Sequence, residues 1–274
     1  MTTPTQGDIE EKNAKALELL PALKEELKED CNGVDDEYLL MFLRWKQDIG
    51  RASGRYRSFL KWKKDNPGVF DDSLRASKDD ELARLLESEV IVTVPGLTTK
   101  QGGPLLIGRL RNNDMTDGRT VKGVSRMLYY TIDRTLMQQN AQDYGLTVLH
   151  DLRGFNRDKN ARVEVAKAVF QALLGHFPIR VKAIYIWQAP WIFYPFFKIV
   201  STMVMPKKIR DRVRFIDELT DIEDVVDPQS LLVELGGTLE WSAKDWVEDC
   251  KQQEMDGNFK SMTNIDPVAA KPEA

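Results

Sequence analysis

Apolar residues recur at helical spacing through the first part of the chain, and from residue 89 they gather into short β-branched runs. Residues 8–30 predict a helix, with Leu17, Leu20, Leu23 and Leu27 on one stripe and Leu19 beside it. Pro21 falls within that stripe and either kinks one helix or opens a second. A further helix begins near Asp35-Asp36, whose carboxylates suit a helix N-terminus, and buries Leu39, Leu40, Phe42 and Leu43. Gly50 separates it from another, in which Tyr56, Phe59 and Leu60 share a face while Lys61, Lys63 and Lys64 face water. Asn66-Pro67-Gly68 ends that helix. An N-terminal helical lobe over residues 8–88 follows.

The run Val90-Ile91-Val92-Thr93-Val94 stops at Pro95-Gly96 and predicts a strand. Leu105 to Leu110 is a second, introduced by Gly102-Gly103-Pro104. Residues 121–141 predict a helix burying Val124, Leu128, Ile132 and Leu136. Leu146 to Asp151 is a third strand, 160–175 a helix, Val181 to Trp187 a fourth strand, and Val213 to Ile216 a fifth. Strands alternating with helices predict an α/β domain with a mostly parallel sheet, here over residues 89–250. The segment 255–274, rich in Lys, Asp, Pro and Ala, is expected to be a disordered tail.

One segment departs from this regular alternation. Between Tyr185 and Phe197 stand Tyr185, Trp187, Trp191, Phe193, Tyr194, Phe196 and Phe197, and soon after come Lys207, Lys208, Arg210, Arg212 and Arg214. An apolar element beside a basic one suits contact with an anionic membrane. In the helix after Pro190, spacing puts Phe193, Phe197, Val200 and Val204 on one side and Phe196, Ile199 and Met203 on another. Such a helix is either fully covered or closes a cavity inside and meets lipid outside. The adjoining cations favour a lid at a membrane. Residues 184–205 approach the length of a span, but Gln188, Lys198, Pro190 and Pro195 interrupt it, so no straight crossing is expected.

Composition narrows the function classes. Net charge is −4 with 42% hydrophobic residues, so nothing global points to nucleic acid. Two distant cysteines, Cys31 and Cys250, form no disulfide framework or metal motif, which suits a reducing compartment. The N-terminus lacks the basic and apolar regions of a secretory signal. No phosphate-binding glycine loop, nucleophile elbow or zinc motif occurs, and no strand end pairs a nucleophile with a base. No catalysis and no cofactor are expected. Alternation places Leu146, Val148 and His150 on one face of the third strand. There His150 is either the one polar point of a cavity, bonding a ligand hydroxyl or carbonyl, or a core histidine bonded to backbone.

Several segments in order resemble signatures of the CRAL-TRIO family of lipid-binding and lipid-transfer proteins, across roughly residues 35–245. They are Tyr38-Leu39-Leu40-Met41-Phe42-Leu43-Arg44, Asp151-Leu152-Arg153-Gly154, Phe177-Pro178-Ile179-Arg180, Gln188-Ala189-Pro190-Trp191 and Leu235-Gly236-Gly237. The likeness is greatest to the tocopherol-transfer and retinaldehyde-binding branch. It implies a mixed sheet flanked by helices around an apolar pocket, a helical lobe, and a mobile gate from Trp191 onward. The implied pocket comprises Ile132, Leu146, Val148, His150, Leu173, Phe177, Ile179, Val181 and Ile184, closed by Phe193, Phe197 and Val200. Lys46, Arg180, Lys208 and Arg212 match the positions that hold a phosphoinositide headgroup.

Phosphatidylinositol-transferring members carry Glu at the position of Ile179, so an apolar residue there argues against that lipid as enclosed cargo. Ile216-Asp217 also replaces the His-Gly of the tocopherol-transfer branch. The expectation is a cytoplasmic carrier, peripherally associated with membranes, that exchanges one hydrophobic molecule at anionic, phosphoinositide-bearing surfaces. Tocopherol, retinoid, sterol and phospholipid are its candidate cargoes, in that order. The alternative is a lipid-sensing regulatory module that binds a protein partner.

Overall fold

The computed structural model describes residues 5–257 and 259–267. Helix α1 (Gln6–Leu27) opens with a reciprocal cap: Thr5 Oγ1 accepts from the Asp8 amide, and the Asp8 carboxylate accepts from the Thr5 amide at 2.7 Å. It runs through Pro21 unbroken. Its buried residues are Ile9, Ala16, Leu23 and Leu27, whereas Leu17, expected in the stripe, is exposed. Helices α2 (Asp36–Trp45), α3 (Ile49–Asp65) and α4 (Asp80–Glu87) each start at an aspartate, Asp35, Asp48 and Asp79, whose side chain accepts a first-turn amide.

Strands β1 (Ile91–Thr98), β2 (Pro104–Arg109), β3 (Leu146–Asp151), β4 (Val181–Trp187) and β5 (Val213–Ile216) lie side by side in sequence order. β1 and β2 are antiparallel and every later pair is parallel. The parallel crossovers contain α5 (Val121–Leu136), α6 (Gln139–Tyr144), the short α7 (Arg157–Asn160), α8 (Val163–Gly175), α9 (Phe193–Met203) and the short α10 (Lys207–Arg210). α11 (Ala243–Met255) follows the sheet. The resulting α/β architecture, with helices over the mixed sheet, agrees with the sequence expectation.

Each sheet face has its own core. Val92, Leu105, Ile107, Leu149, Tyr185 and Trp187 face one side, where Ile222, Val226 and Leu231 of the later chain cover them. Leu106, Leu146, Val148, Ile184 and Ile186 face the other, toward α5, α8 and α9. Val181 and Ile184 stand three residues apart and would point oppositely along a regular strand. The register slips between the Leu146–Val181 and Thr147–Ala183 pairs, and this bulge returns both to the same core.

The later chain corrects two sequence expectations. Residues 259–267 are packed, with Phe259, Met262 and Ile265 buried and the Met262 amide donating to Asp133 Oδ1 at 2.7 Å. The guanidinium of Arg134 lies 3.9 Å from the Phe259 ring centre, so charged composition alone misjudged this stretch. Lys63 does not face water: its ammonium donates to the carbonyls of Thr263 and Ile265 at 2.7 and 2.8 Å. Residues 268–274 of the expected tail lie outside the described residues.

Candidate functional site

A cavity of 210 Å³ lies between the sheet and α5, α8 and α9. A single water needs only about 10–15 Å³ of comparable space. Strand alternation aims Leu146, Val148 and His150 inward, and the bulge adds Val181 beside Ile184. Ile179 contributes from the segment before β4, Ile132 from α5 and Leu173 from α8. Phe193, Phe197 and Val200 line it from α9.

Phe177 is the expected pocket residue that stands elsewhere. It is fully buried, with ring centres 5.1 Å from Phe70, 5.5 Å from Trp62, 5.7 Å from Phe59 and 6.3 Å from Tyr129. It joins α8's end to the helical lobe and does not line the cavity. Sequence reading missed Val165, Val169 and Phe170, although their helical spacing on α8 matches that of a cavity wall. It also set Phe196 apart from the Phe193 side, yet Phe196 lines the cavity as well.

The outer side of α9 has a different character. Trp191 is 81% exposed, Met203 74%, and Tyr194, Ile199 and Phe215 are exposed beside them. Tyr194 stacks on Phe215 with centres 5.1 Å apart, so the patch continues from helix to sheet edge. Gln188 has φ +55°, a left-handed conformation immediately ahead of this segment. At the other end, Arg210 Nη1 donates to Ser201 O at 2.9 Å and ties α10 to α9.

Of the expected headgroup residues, Arg180 and Arg212 converge. Lys182 lies between their fields, and its pKa is lowered by burial and then by those two cations. Arg180 donates to Gln142 O and Asp143 O, and Arg212 to Val181 O. Lys12 of α1 joins the group by donating to the same two carbonyls at 2.9 and 3.1 Å. Burial, then Arg180, lowers its pKa to about 7. Lys46 and Lys208 are exposed, and no described contact connects either to that group. Lys208 has no carboxylate partner among the described residues, whereas Lys207 is paired with Asp211 at 2.6 Å. Lys12 went unread because it reaches the group from α1, whereas Lys182 stands two residues from Arg180 and could have been read beside it.

His150 forms no bond to backbone. Its Nδ1 has no partner and lies against the backbone of Gly108, and the residue is one of those lining the cavity. Exclusion from water lowers its pKa to about 4. A folded-state value below the unfolded one (about 6.5) means the unfolded chain binds more protons between those values. Stability is therefore expected to fall as pH drops through that window. His150 contributes a loss on the order of 2 kcal/mol across that window. Urea unfolding at both ends of the window should show that slope in the parent protein and its absence in His150→Leu.

Among the described residues, no group of three or more His, Cys, Asp or Glu side chains could hold a metal, and no helix is long and apolar enough to cross a membrane.

Residues 87–237 match the CRAL/TRIO domain. The chain is 26% identical to the Phosphatidylinositol transfer protein CSR1 of Eremothecium gossypii, over 77% of this chain and 49% of that protein, so it spans about half of that relative. It is 25% identical to the Alpha-tocopherol transfer protein-like of Homo sapiens, over 87% of this chain and 70% of that protein. The solved structure of Sfh5 superposes with a TM-score of 0.55 at 11% identity, covering 94% of this chain and all of that one, a likeness of fold alone.

Proposed function

The chain belongs to the CRAL/TRIO domain family, as a lipid-binding and lipid-transfer protein of that family, and from this premise we propose that it carries one tocopherol- or retinoid-like molecule between membranes. In this reading the cavity encloses the molecule, α9 is its gate, and the gate's exposed face docks on an anionic, phosphoinositide-bearing surface. The observation that carries it is the two-sided character of α9. Phe193, Phe197 and Val200 close the cavity while Tyr194, Ile199 and Met203 face outward.

The energetics suit a carrier. A ligand burying about 400 Å² of apolar surface gains on the order of 10 kcal/mol before the costs of association. Release into water is correspondingly slow. A membrane in contact with an opened gate offers an equally apolar destination and removes that barrier. The group of Arg180, Lys182, Arg212 and Lys12 supports headgroup binding, and each cation near anionic lipid adds about 1 kcal/mol. Affinity of that order permits docking and departure.

Lys208→Glu tests the docking role without touching the wall. The probe is a fluorescent tocopherol analogue moving between neutral donor and phosphatidylinositol-phosphate-containing acceptor vesicles. Reversal removes about 2 kcal/mol of attraction, so transfer should slow roughly tenfold or more while equilibrium affinity for the probe stays unchanged. Equal rates for parent and variant would remove Lys208 from the docking surface. Failure of the parent to take up any lipid would overturn the carrier reading and favour a regulatory module.

A further inference from the structure

The outer face of α9 is apolar along its middle and oppositely charged at its two ends. Trp191, Tyr194, Ile199, Met203 and Phe215 stand exposed there, and the Tyr194–Phe215 stack makes helix and edge strand one surface. Each shows roughly two-fifths to four-fifths of about 200 Å² of side-chain surface. Together they present roughly 600 Å², at the upper end of what a monomer leaves open.

The order of charges along this face follows from the fold. β5 runs parallel to β4, so it starts at the edge where Arg212 donates to Val181 O and ends where Ile216 pairs with Trp187. Asp217 comes next, and its carbonyl accepts from Gln188 Nε2, just ahead of the segment that leads into α9. Asp221 Oδ2 accepts from the amides of Asp217 and Glu218, each at 3.1 Å, which brings three carboxylates together. All three residues are exposed, and none is in an ion pair among the described residues. From there α9 returns along the sheet, its 11 residues covering about 16 Å. At its far end stand Lys207 and Lys208 of α10, both exposed, with Arg210 bonded to Ser201 O. Lys198, midway along α9, is exposed as well, and its flexible stem lets the ammonium reach water past the apolar side chains.

The face therefore reads acidic, apolar, basic. An anionic membrane attracts one of its ends and repels the other. A second copy, turned about a twofold axis over the middle of the helix, sets its basic end on the first copy's acidic end. The symmetry repeats that contact at the other end, and the apolar middles meet between them. We infer that this face binds a second copy of the chain in solution, in this antiparallel arrangement. The inference goes beyond the carrier reading and uses the face assigned there to docking, so a dimer and a docked monomer exclude each other. Covering the face on both copies removes roughly 1,200 Å² from water, the lower limit for a specific interface. The dimer is accordingly weak and reversible, with a Kd on the order of 10 μM.

Sedimentation velocity of the whole protein, from about 1 to about 200 μM, should show a monomer–dimer equilibrium in the absence of lipid. Raising salt from about 50 to about 500 mM should weaken it about fivefold or more, because the end contacts are between exposed charges. Lys207→Glu with Lys208→Glu makes both end contacts acid on acid, and Asp217→Lys with Glu218→Lys makes both base on base. Each doubly reversed variant should dimerise about tenfold or more weakly than the parent. An equal mixture of the two restores opposite charges at both ends, and its mixed dimer should form within about threefold of the parent's affinity. A defect in folding, followed by circular dichroism melts, could not be repaired by mixing, and the salt series on the parent needs no variant. A parent that stays monomeric throughout, with the face taken only by vesicles, overturns the proposal and leaves the docking and carrier readings in place. Reversed variants that dimerise as the parent does, or a mixture that recovers nothing, overturn it as well.

Discussion

Replacing both Trp191 and Met203 with aspartate is expected to cut binding to anionic vesicles about a hundredfold or more. The two side chains are 81% and 74% exposed, so the folded protein loses little packing when they go. Fully burying one such side chain in an apolar medium is worth about 2 kcal/mol, and an interfacial position realises part of that. The replacements also place negative charge against an anionic surface. Sedimentation with phosphatidylserine and phosphoinositide vesicles would measure the loss, with circular dichroism melts as the control for folding. Transfer of a fluorescent lipid should fall in parallel, while binding of that lipid in solution is retained, because neither residue lines the cavity. Unchanged sedimentation would move the proposed docking surface away from α9.

Phe177→Ala is expected to lower stability by about 4 kcal/mol, within the range for a fully buried phenylalanine. Its ring joins Phe59, Phe70, Trp62 and Tyr129, and edge-to-face or stacked pairs of this kind add to the transfer and cavity terms, though not additively. Because Phe177 stands behind the cavity wall, ligand affinity measured well below the unfolding transition should change less than about threefold. Urea unfolding and a ligand titration on the same sample separate the two effects. A large loss of affinity with little loss of stability would return Phe177 to the cavity.

How legible the protein was depended on whether a signal was local. All five strands could be located from their apolar, β-branched runs, and α2, α3 and α5 from apolar spacing, but Pro95-Gly96 did not end the first strand, which continues through them to Thr98. α4 went unread because its eight residues, Asp80–Glu87, carry too short a periodicity. α11 went unread because Trp246, Val247 and Cys250 form a thin stripe in an otherwise charged segment. The cavity wall was legible where strand alternation or family likeness supplied it, as at Val148 and Ile184. Likeness misplaced Phe177, because a buried aromatic in a connecting segment has two possible cores to enter. The cationic group was half legible: Arg180 and Arg212 have neighbours in sequence, but Lys12 reaches them from α1 only when the chain is folded.

By itself the sequence determined the five strands and the longer apolar helices, the mostly parallel sheet, and the unusual apolar helix followed by cations. Those are consequences of period, branching and local charge, which act over a few residues. The tertiary structure alone decided that a bulge turns Val181 and Ile184 to one face, that Phe177 joins the helical lobe, and that residues 259–267 are packed. It also decided that Asn113 Oδ1 and His150 Nδ1 are buried without a hydrogen-bond partner. These depend on which distant groups meet and which buried polar atoms are left without a partner, and a linear pattern carries neither.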